Sequence, residues 1–310
     1  MLEIAHVDLK PAVEIARIAP TEQAPNGIRY SSYGDTQLSA SDLGQIVQAV
    51  PRAIAAALDR RAYYFVPLAL SEPIETEASD GRVAESDPNA IMIASGFSTE
   101  LSDAAVCHRN ATVAGVECIF ISTRLMQDRF ALAFELYINA GHHFVDEAGV
   151  PESFMKLVWA QAEAGVRGET SQDAWEHRAK ALGLTEMEQA GIEQASRWSS
   201  APQPKARKIR PLQGIAIQAN SSGSANQDSA IRRKAVDEKA RTAYFEASFA
   251  DAIAIYLLSL TVDFDYTELR EREYPLLAPP ALAERLRHVA QLFPANAGHE
   301  FSIRFRRRNG

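Results

Sequence analysis

The amino-acid sequence predicts an α+β fold in which a small mixed sheet in the N-terminal half packs on a predominantly helical C-terminal half. Two observations lead to this prediction: short apolar runs typical of strands occur before residue 123, and long stretches of helical periodicity follow it. We expect the 310 residues to form a single domain, with a strand-rich part over about 1–123 and a helical part over about 124–300.

The N-terminal half contains three short apolar runs that are typical of buried strands. They occupy residues 62–70 (AYYFVPLAL), 90–94 (AIMIA) and 116–122 (VECIFIS). Upstream of them, residues 41–58 place apolar side chains at three- and four-residue steps, which predicts a helix that Pro51 kinks or restarts.

The C-terminal half is predicted to be mostly helix. Helical patterns cover 125–147, 152–164, about 185–198, 231–262 and 281–292. The stretch 199–229 is rich in Ser, Asn, Gln and Pro, so it predicts a mobile polar loop with a short strand at 214–218. Residues 301–306 alternate like a closing edge strand.

Charge and cysteine content exclude several functions. With 32 Lys plus Arg against 40 Asp plus Glu, the net charge of -8 disfavours a nucleic-acid partner. Two cysteines, Cys107 and Cys118, are too few for a four-cysteine zinc cluster, and an adjacent Cys107–His108 pair does not predict a catalytic dyad. No leader and no apolar run of about 20 residues is visible, so we expect a cytoplasmic location and no membrane partner.

One predicted helix carries polar groups in an otherwise apolar sequence. In residues 130–145 (FALAFELYINAGHHFV), Glu135, Asn139 and His142, together with the following Asp146, recur at steps of four, three and four. At 100° per residue these four side chains form one stripe along the helix. Buried carboxylates and imidazoles need hydrogen bonds, ion pairs or a metal, so the stripe and the neighbouring His143 predict either a site or a satisfied core.

The second long helix repeats this feature. In residues 243–260 (AYFEASFADAIAIYLLSL), Glu246 and Asp251 interrupt the apolar sequence, and they lie on different faces because they are five residues apart. We expect the two helices to pack together with polar groups facing inward.

The order of an apolar strand, a helix with a ligand motif and a distant helix with acidic residues resembles the zincin metallopeptidases of the gluzincin type, over roughly residues 115–260. INAGHH at 138–143 is similar to the family's HEAGHH, but Ile138 replaces the first zinc-binding His and Asn139 replaces the catalytic Glu. The resemblance implies a retained fold, with His142 and Glu246 at ligand positions. In the alternative frame Glu135 takes the place of the catalytic Glu and both histidines are lost.

Three hypotheses follow. The first is a zincin-like protein that has lost peptidase activity and serves as a binding or structural module for an unidentified protein or small molecule. The second is a metal-dependent hydrolase, with zinc as the possible cofactor. Its candidate catalytic residues are Glu135 and Asn139, and its candidate metal ligands are His142, His143, Asp146, Glu246 and Asp251. The third is a helical interaction domain whose polar stripes are hydrogen-bonded core, and it fails if His142, Glu135 and Asp251 line one deep, open pocket.

Overall fold

The computed structural model describes residues 7–71, 91–126, 128–184, 237–269 and 274–303. Its sheets lie in the N-terminal half and its helices mostly in the C-terminal half, which confirms the predicted α+β class. The predicted helix 185–198, the polar loop 199–229 with its strand at 214–218, and residues 231–236 and 304–306 lie outside the described residues. The single-domain organisation stays a prediction.

The strands are short and occur before residue 123. They are β1 (Leu9–Pro11), β2 (Glu22–Gln23), β3 (Arg29–Ser32), β4 (Arg61–Val66), β5 (Leu68–Leu70), β6 (Met92–Ala94), β7 (Ala105–Val106), β8 (His108–Val113) and β9 (Val116–Ser122).

The helices lengthen toward the C-terminus. They are α1 (Ala12–Ile18), α2 (Ala40–Gln48), α3 (Arg52–Ala55), α4 (Thr99–Ser102), α5 (Arg129–Ala148), α6 (Glu152–Glu163), α7 (Gln172–Ala181), α8 (Glu238–Ser259) and α9 (Pro279–Leu292). Helix α2 ends before Pro51 and α3 begins after it, as the missing proline N–H requires.

A five-stranded mixed sheet, with strand order β2-β3-β4-β9-β8, forms the wall that supports α5 and α8. Strands β3, β4 and β9 are parallel, and β8 pairs antiparallel with β9 through a tight hairpin. The hairpin turns at Ala114 and Gly115, both of which have positive φ, as a two-residue turn of this hand requires. Strand β8 was missed by the sequence prediction because HRNATV has few apolar residues and half-exposed side chains.

The predicted strand 62–70 is two strands in two different sheets, which corrects the sequence prediction. Pro67 separates β4, in the five-stranded sheet, from β5, in a four-stranded antiparallel sheet ordered β1-β6-β5-β7. Proline lacks the N–H that a continuous strand would donate, so the chain bends there and changes sheet. Residues 301–303 also do not form the expected edge strand.

Helices α5 and α8 cross at very short range, and this contact positions the site. A Cβ added at Gly141 would lie 2.5 Å from the carbonyl oxygen of Ala250, so only glycine allows the two backbones to approach this closely. Residues of both helices belong to the same hydrophobic core as Tyr63 and Phe65 of β4 and Ile119 of β9. The polar residues of α5 and Asp251 of α8 line one cavity beside this helix contact.

Candidate functional site

The polar stripe of α5 borders a cavity of about 470 Å³. The helix begins at Asp128, whose side chain caps it by accepting a hydrogen bond from the Ala131 N–H at 2.9 Å. Further along the helix, the stripe lies between strand β8 and helix α8. The α5 residues on the cavity wall are Phe134, Glu135, Ile138, Asn139, His142, His143 and Asp146.

Other parts of the chain complete this polar cavity. Strand β8 contributes His108 and Asn110, which project from the same face of the strand because they are two residues apart. Helix α8 contributes Ala247, Asp251 and Ile255. The remaining lining residues are 170–173, at and just before the start of α7, together with Leu269 and Tyr274. The lining combines carboxylate, imidazole, amide and hydroxyl groups with a few aliphatic and aromatic side chains.

A short hydrogen bond crosses from β8 to α5. The His108 Nδ1 lies 2.6 Å from the Glu135 Oε1, with the imidazole 41% exposed and the carboxylate 16% exposed. Asn139 holds this carboxylate from the next helical turn: its Nδ2 donates to Glu135 Oε1 at 3.0 Å and to the Glu135 backbone carbonyl at 2.8 Å. The amide of Asn139 is buried, so it fixes the orientation of Glu135.

Two other candidates differ in their surroundings although they are adjacent in sequence. His143 is 4% exposed, and its Nδ1 lies 3.2 Å from the Tyr63 hydroxyl. Burial, aided by the nearby charge of Arg61, lowers the pKa of His143 to about 3, so its imidazole is neutral at physiological pH. His142 is exposed at the cavity surface.

Asp251 is the most deeply placed acid of the cavity, with only 6% of its surface exposed. The Thr170 hydroxyl donates to its Oδ2 at 2.7 Å. Burial raises the pKa of Asp251 to about 6, although hydrogen bonds from Ser171 and Thr170 and the charge of His142 oppose this rise. The charge of His142 on α5 therefore acts on Asp251 of α8 across the cavity.

A buried ionic network lies directly behind Thr170. Glu169 is fully buried, and it accepts from Arg285 Nη1 at 2.8 Å, from Arg178 Nη1 at 3.1 Å and from the Tyr244 hydroxyl at 2.6 Å. The network ties α9, α7 and α8 to the residue before Thr170, so it fixes the backbone that carries Thr170 and Ser171 to the cavity. No periodic signal in the sequence marks these residues.

The structure brings together six of the seven predicted site residues. Glu135, Asn139, His142, His143, Asp146 and Asp251 all line the polar cavity. Glu246 does not: it is exposed on a different face of α8, because five residues along a helix correspond to about 140° of rotation. Whether any of the six is catalytic or binds a metal stays a prediction.

Sequence reasoning missed His108, which it left without a partner. The partner is Glu135, 27 residues away, and the pairing depends on how β8 packs beside α5. An alternation of His108 and Asn110 on one strand face is the only signal that the sequence offers, and strand β8 itself was not predicted.

The residues present do not fit the zinc site of the family that the sequence resembles. Within the described ranges, no three His, Cys, Asp or Glu side chains lie close enough together to hold a metal ion. At the two motif positions, Ile138 has no donor atom and the Asn139 amide is engaged with Glu135.

Comparison with protein-family models, with curated proteins and with solved structures gave no match. Among the described helices, none is both long enough and apolar enough to cross a membrane.

Proposed function

We propose that this chain is a zincin-like protein that has lost zinc peptidase chemistry and uses the polar cavity to bind a small polar molecule. The observation that carries the proposal is the convergence of the α5 stripe, Asp251 of α8 and the start of α7 on one cavity of about 470 Å³. This volume lies within the range of small-molecule sites.

The zincin component of the proposal rests on the order and packing of the elements. Strand β9, helix α5 and helix α8 follow one another along the chain in the family's order, and α5 and α8 pack together at Gly141. Had α5 packed away from α8, with no strand beside it, this hypothesis would have failed. The replaced motif residues, Ile138 and Asn139, both face the cavity.

The other two hypotheses gain less support. His142, Glu135 and Asp251 line one cavity, and this arrangement counts against a helical interaction domain whose stripes are closed core. A metal-dependent hydrolase requires ligands that meet, and the candidate ligands form no such group among the described residues. Metal analysis of protein purified without a His tag tests that alternative: one zinc bound per chain would restore it.

The binding proposal is tested by screening a library of small polar molecules for a rise in the thermal unfolding midpoint. A ligand at 100 times its Kd should stabilise the folded state by about 2.7 kcal/mol. Ile138→Trp fills the cavity and should abolish the shift. Ile18→Trp makes the same change on the exposed surface of α1 and should leave the shift intact.

The same preparation is assayed for peptidase activity on casein, with and without added zinc. We expect no activity in either case. Cleavage that requires zinc, or ligand shifts that persist in Ile138→Trp, would contradict the proposed function.

A further inference from the structure

We propose that the polar cavity is a metal-free hydrolytic site in which His108 is the general base and Glu135 positions it, with a small neutral or cationic ester as the substrate. This inference rests on the proposed function in one respect, because the cavity must admit a small molecule. It goes beyond that function in assigning a reaction.

The contact with Glu135 fixes the position of the proton on His108. At 2.6 Å, Nδ1 and the Glu135 oxygen must share a hydrogen bond, and an ionised carboxylate only accepts. Nδ1 therefore carries the hydrogen, and in the neutral imidazole the lone pair is on Nε2. This is the relation between carboxylate and imidazole that makes histidine a base in hydrolytic triads.

Asn139 gives this pair its fixed geometry. Its Nδ2 donates to Glu135, so the 3.4 Å approach of the same Nδ2 to His108 Nδ1 brings two donors together and is not a hydrogen bond. The amide that replaces the family's catalytic Glu therefore acts through Glu135. Both Glu135 and Asn139 are positioning residues, and His108 is the group that would contact the reactants.

The nucleophile is water, because the cavity's hydroxyl groups are engaged. Thr170 donates to Asp251, and Tyr274 donates to the Thr170 carbonyl at 2.9 Å. Ser171 also hydrogen-bonds to Asp251, and its oxygen accepts from the Ala174 N–H as the cap of α7. The described lining thus offers no free hydroxyl beside His108. A water molecule on Nε2 is the species that this base can activate.

The reaction balances without a further reagent. The water oxygen forms a bond to the ester carbonyl carbon, and its proton passes to His108 Nε2. The carbon–oxygen bond to the alcohol then breaks, the departing oxygen takes the proton from Nε2, and the products are a carboxylic acid and an alcohol. The carbonyl electron pair moves onto the carbonyl oxygen when water adds and returns when the bond to the alcohol breaks.

The lining selects the substrate. Asp146, Asp173 and Asp251 border the cavity, so an anionic substrate is disfavoured relative to a neutral or cationic one. An ester is favoured over an amide because a site without a metal or a covalent nucleophile needs a leaving group that departs readily.

The test measures hydrolysis of p-nitrophenyl acetate, which is neutral, and of mono-p-nitrophenyl succinate, which is anionic, by the full chain in the presence of EDTA. We expect wild-type turnover of the neutral ester, a lower kcat/KM for the anionic one, and a fall of about 10²–10⁴-fold in kcat/KM for His108→Gln. His177→Gln removes an imidazole of α7 outside the cavity and should retain the wild-type rate.

Two further measurements separate a chemical role from a structural one. His108→Ala should regain part of its activity when imidazole is added to the buffer. Glu135→Gln should lower kcat for the neutral ester and leave KM unchanged, because Glu135 acts through His108 and does not contact the substrate.

The proposal is overturned if wild type and His108→Gln hydrolyse the neutral ester equally, if EDTA abolishes the wild-type rate, or if no rate exceeds that of buffer. Binding shifts separate this failure from that of the proposed function. If the cavity binds ligands but no ester is hydrolysed, the proposed binding function stands and only the proposed hydrolytic site is wrong.

Discussion

Two carboxylates of this chain, Glu169 and Glu135, are both held by basic side chains and a neutral donor, yet one is fully buried and the other borders an open cavity. Glu169 is fully buried between Arg285, Arg178 and Tyr244, with none of its surface exposed. Glu135 meets His108 and Asn139 at the edge of an open cavity. In the described part of the chain, the Glu169 side chain has no exposed surface that a reactant could reach, whereas the His108 imidazole is 41% exposed beside the cavity.

This difference in burial predicts different roles, with Glu169 contributing to stability and Glu135 to the proposed chemistry. A buried ion pair stabilises the fold only because each charge compensates the other. Removing one partner leaves the remaining charge buried and uncompensated, which lowers the free energy of unfolding. The pair of Glu135 and His108, whose imidazole is 41% exposed, is screened by water and contributes little to stability. The role proposed for this pair is therefore chemical and not structural.

The largest loss of stability is expected from a change in the buried network around Glu169. Glu169→Gln removes the charge that faces two buried guanidinium groups, and we expect the free energy of unfolding to fall by about 3–5 kcal/mol. Urea denaturation followed by circular dichroism measures it. Glu152→Gln, which breaks an exposed pair with Lys156, is the control and should show no measurable change. A loss at Glu169 no greater than at the control would remove the distinction between the two regions.

Asp251 lies between the two regions, and its pKa predicts a pH-dependent stability. The folded-state pKa of about 6 is raised from 3.8, so the folded protein binds the proton more tightly than the unfolded chain. The resulting stabilisation is fully present below about pH 4 and is lost as the pH rises through about 6. Taking about 1.4 kcal/mol for each pKa unit, Asp251→Asn should gain about 2–3 kcal/mol relative to wild type between pH 4 and pH 7.

Urea denaturation of both proteins at pH 4, 5, 6 and 7 measures this gain. Asp59→Asn removes the same charge from an exposed turn and serves as the matched control. A difference between Asp251→Asn and wild type that does not change with pH would show that the buried carboxyl group is not the source.

The parts of the site that could be predicted from sequence are those set by helical geometry. The steps from Glu135 through Asn139 to His142 are local, so a constant rotation of 100° per residue places them on one face whatever surrounds the helix. Helix α5, strand β9 and the break at Pro51 were predictable for the same reason, since each depends on side chains within a few residues.

The unpredicted parts depend on long-range packing. His108 meets Glu135 only because β8 pairs with β9 at the sheet edge beside α5, and Glu169 meets Arg285 from 116 residues away. Nothing local distinguishes these side chains from exposed ones. Pro67 shows a third case, in which the apolar run was recognised correctly but the proline within it sends the chain into a second sheet.

The smallest effect on stability should accompany the largest effect on chemistry, at Glu135. Glu135→Gln makes the same substitution at the cavity wall that Glu169→Gln makes in the buried network. Because His108 is 41% exposed, we expect the free energy of unfolding to change by no more than about 1 kcal/mol. Ester hydrolysis by the same preparation should nevertheless fall by about 10²–10⁴-fold at neutral pH, since the tautomer of His108 is no longer fixed. Parallel urea denaturation and rate measurements decide the matter: a variant that loses several kcal/mol and keeps its rate would make Glu135 a second structural carboxylate and abolish the contrast with Glu169.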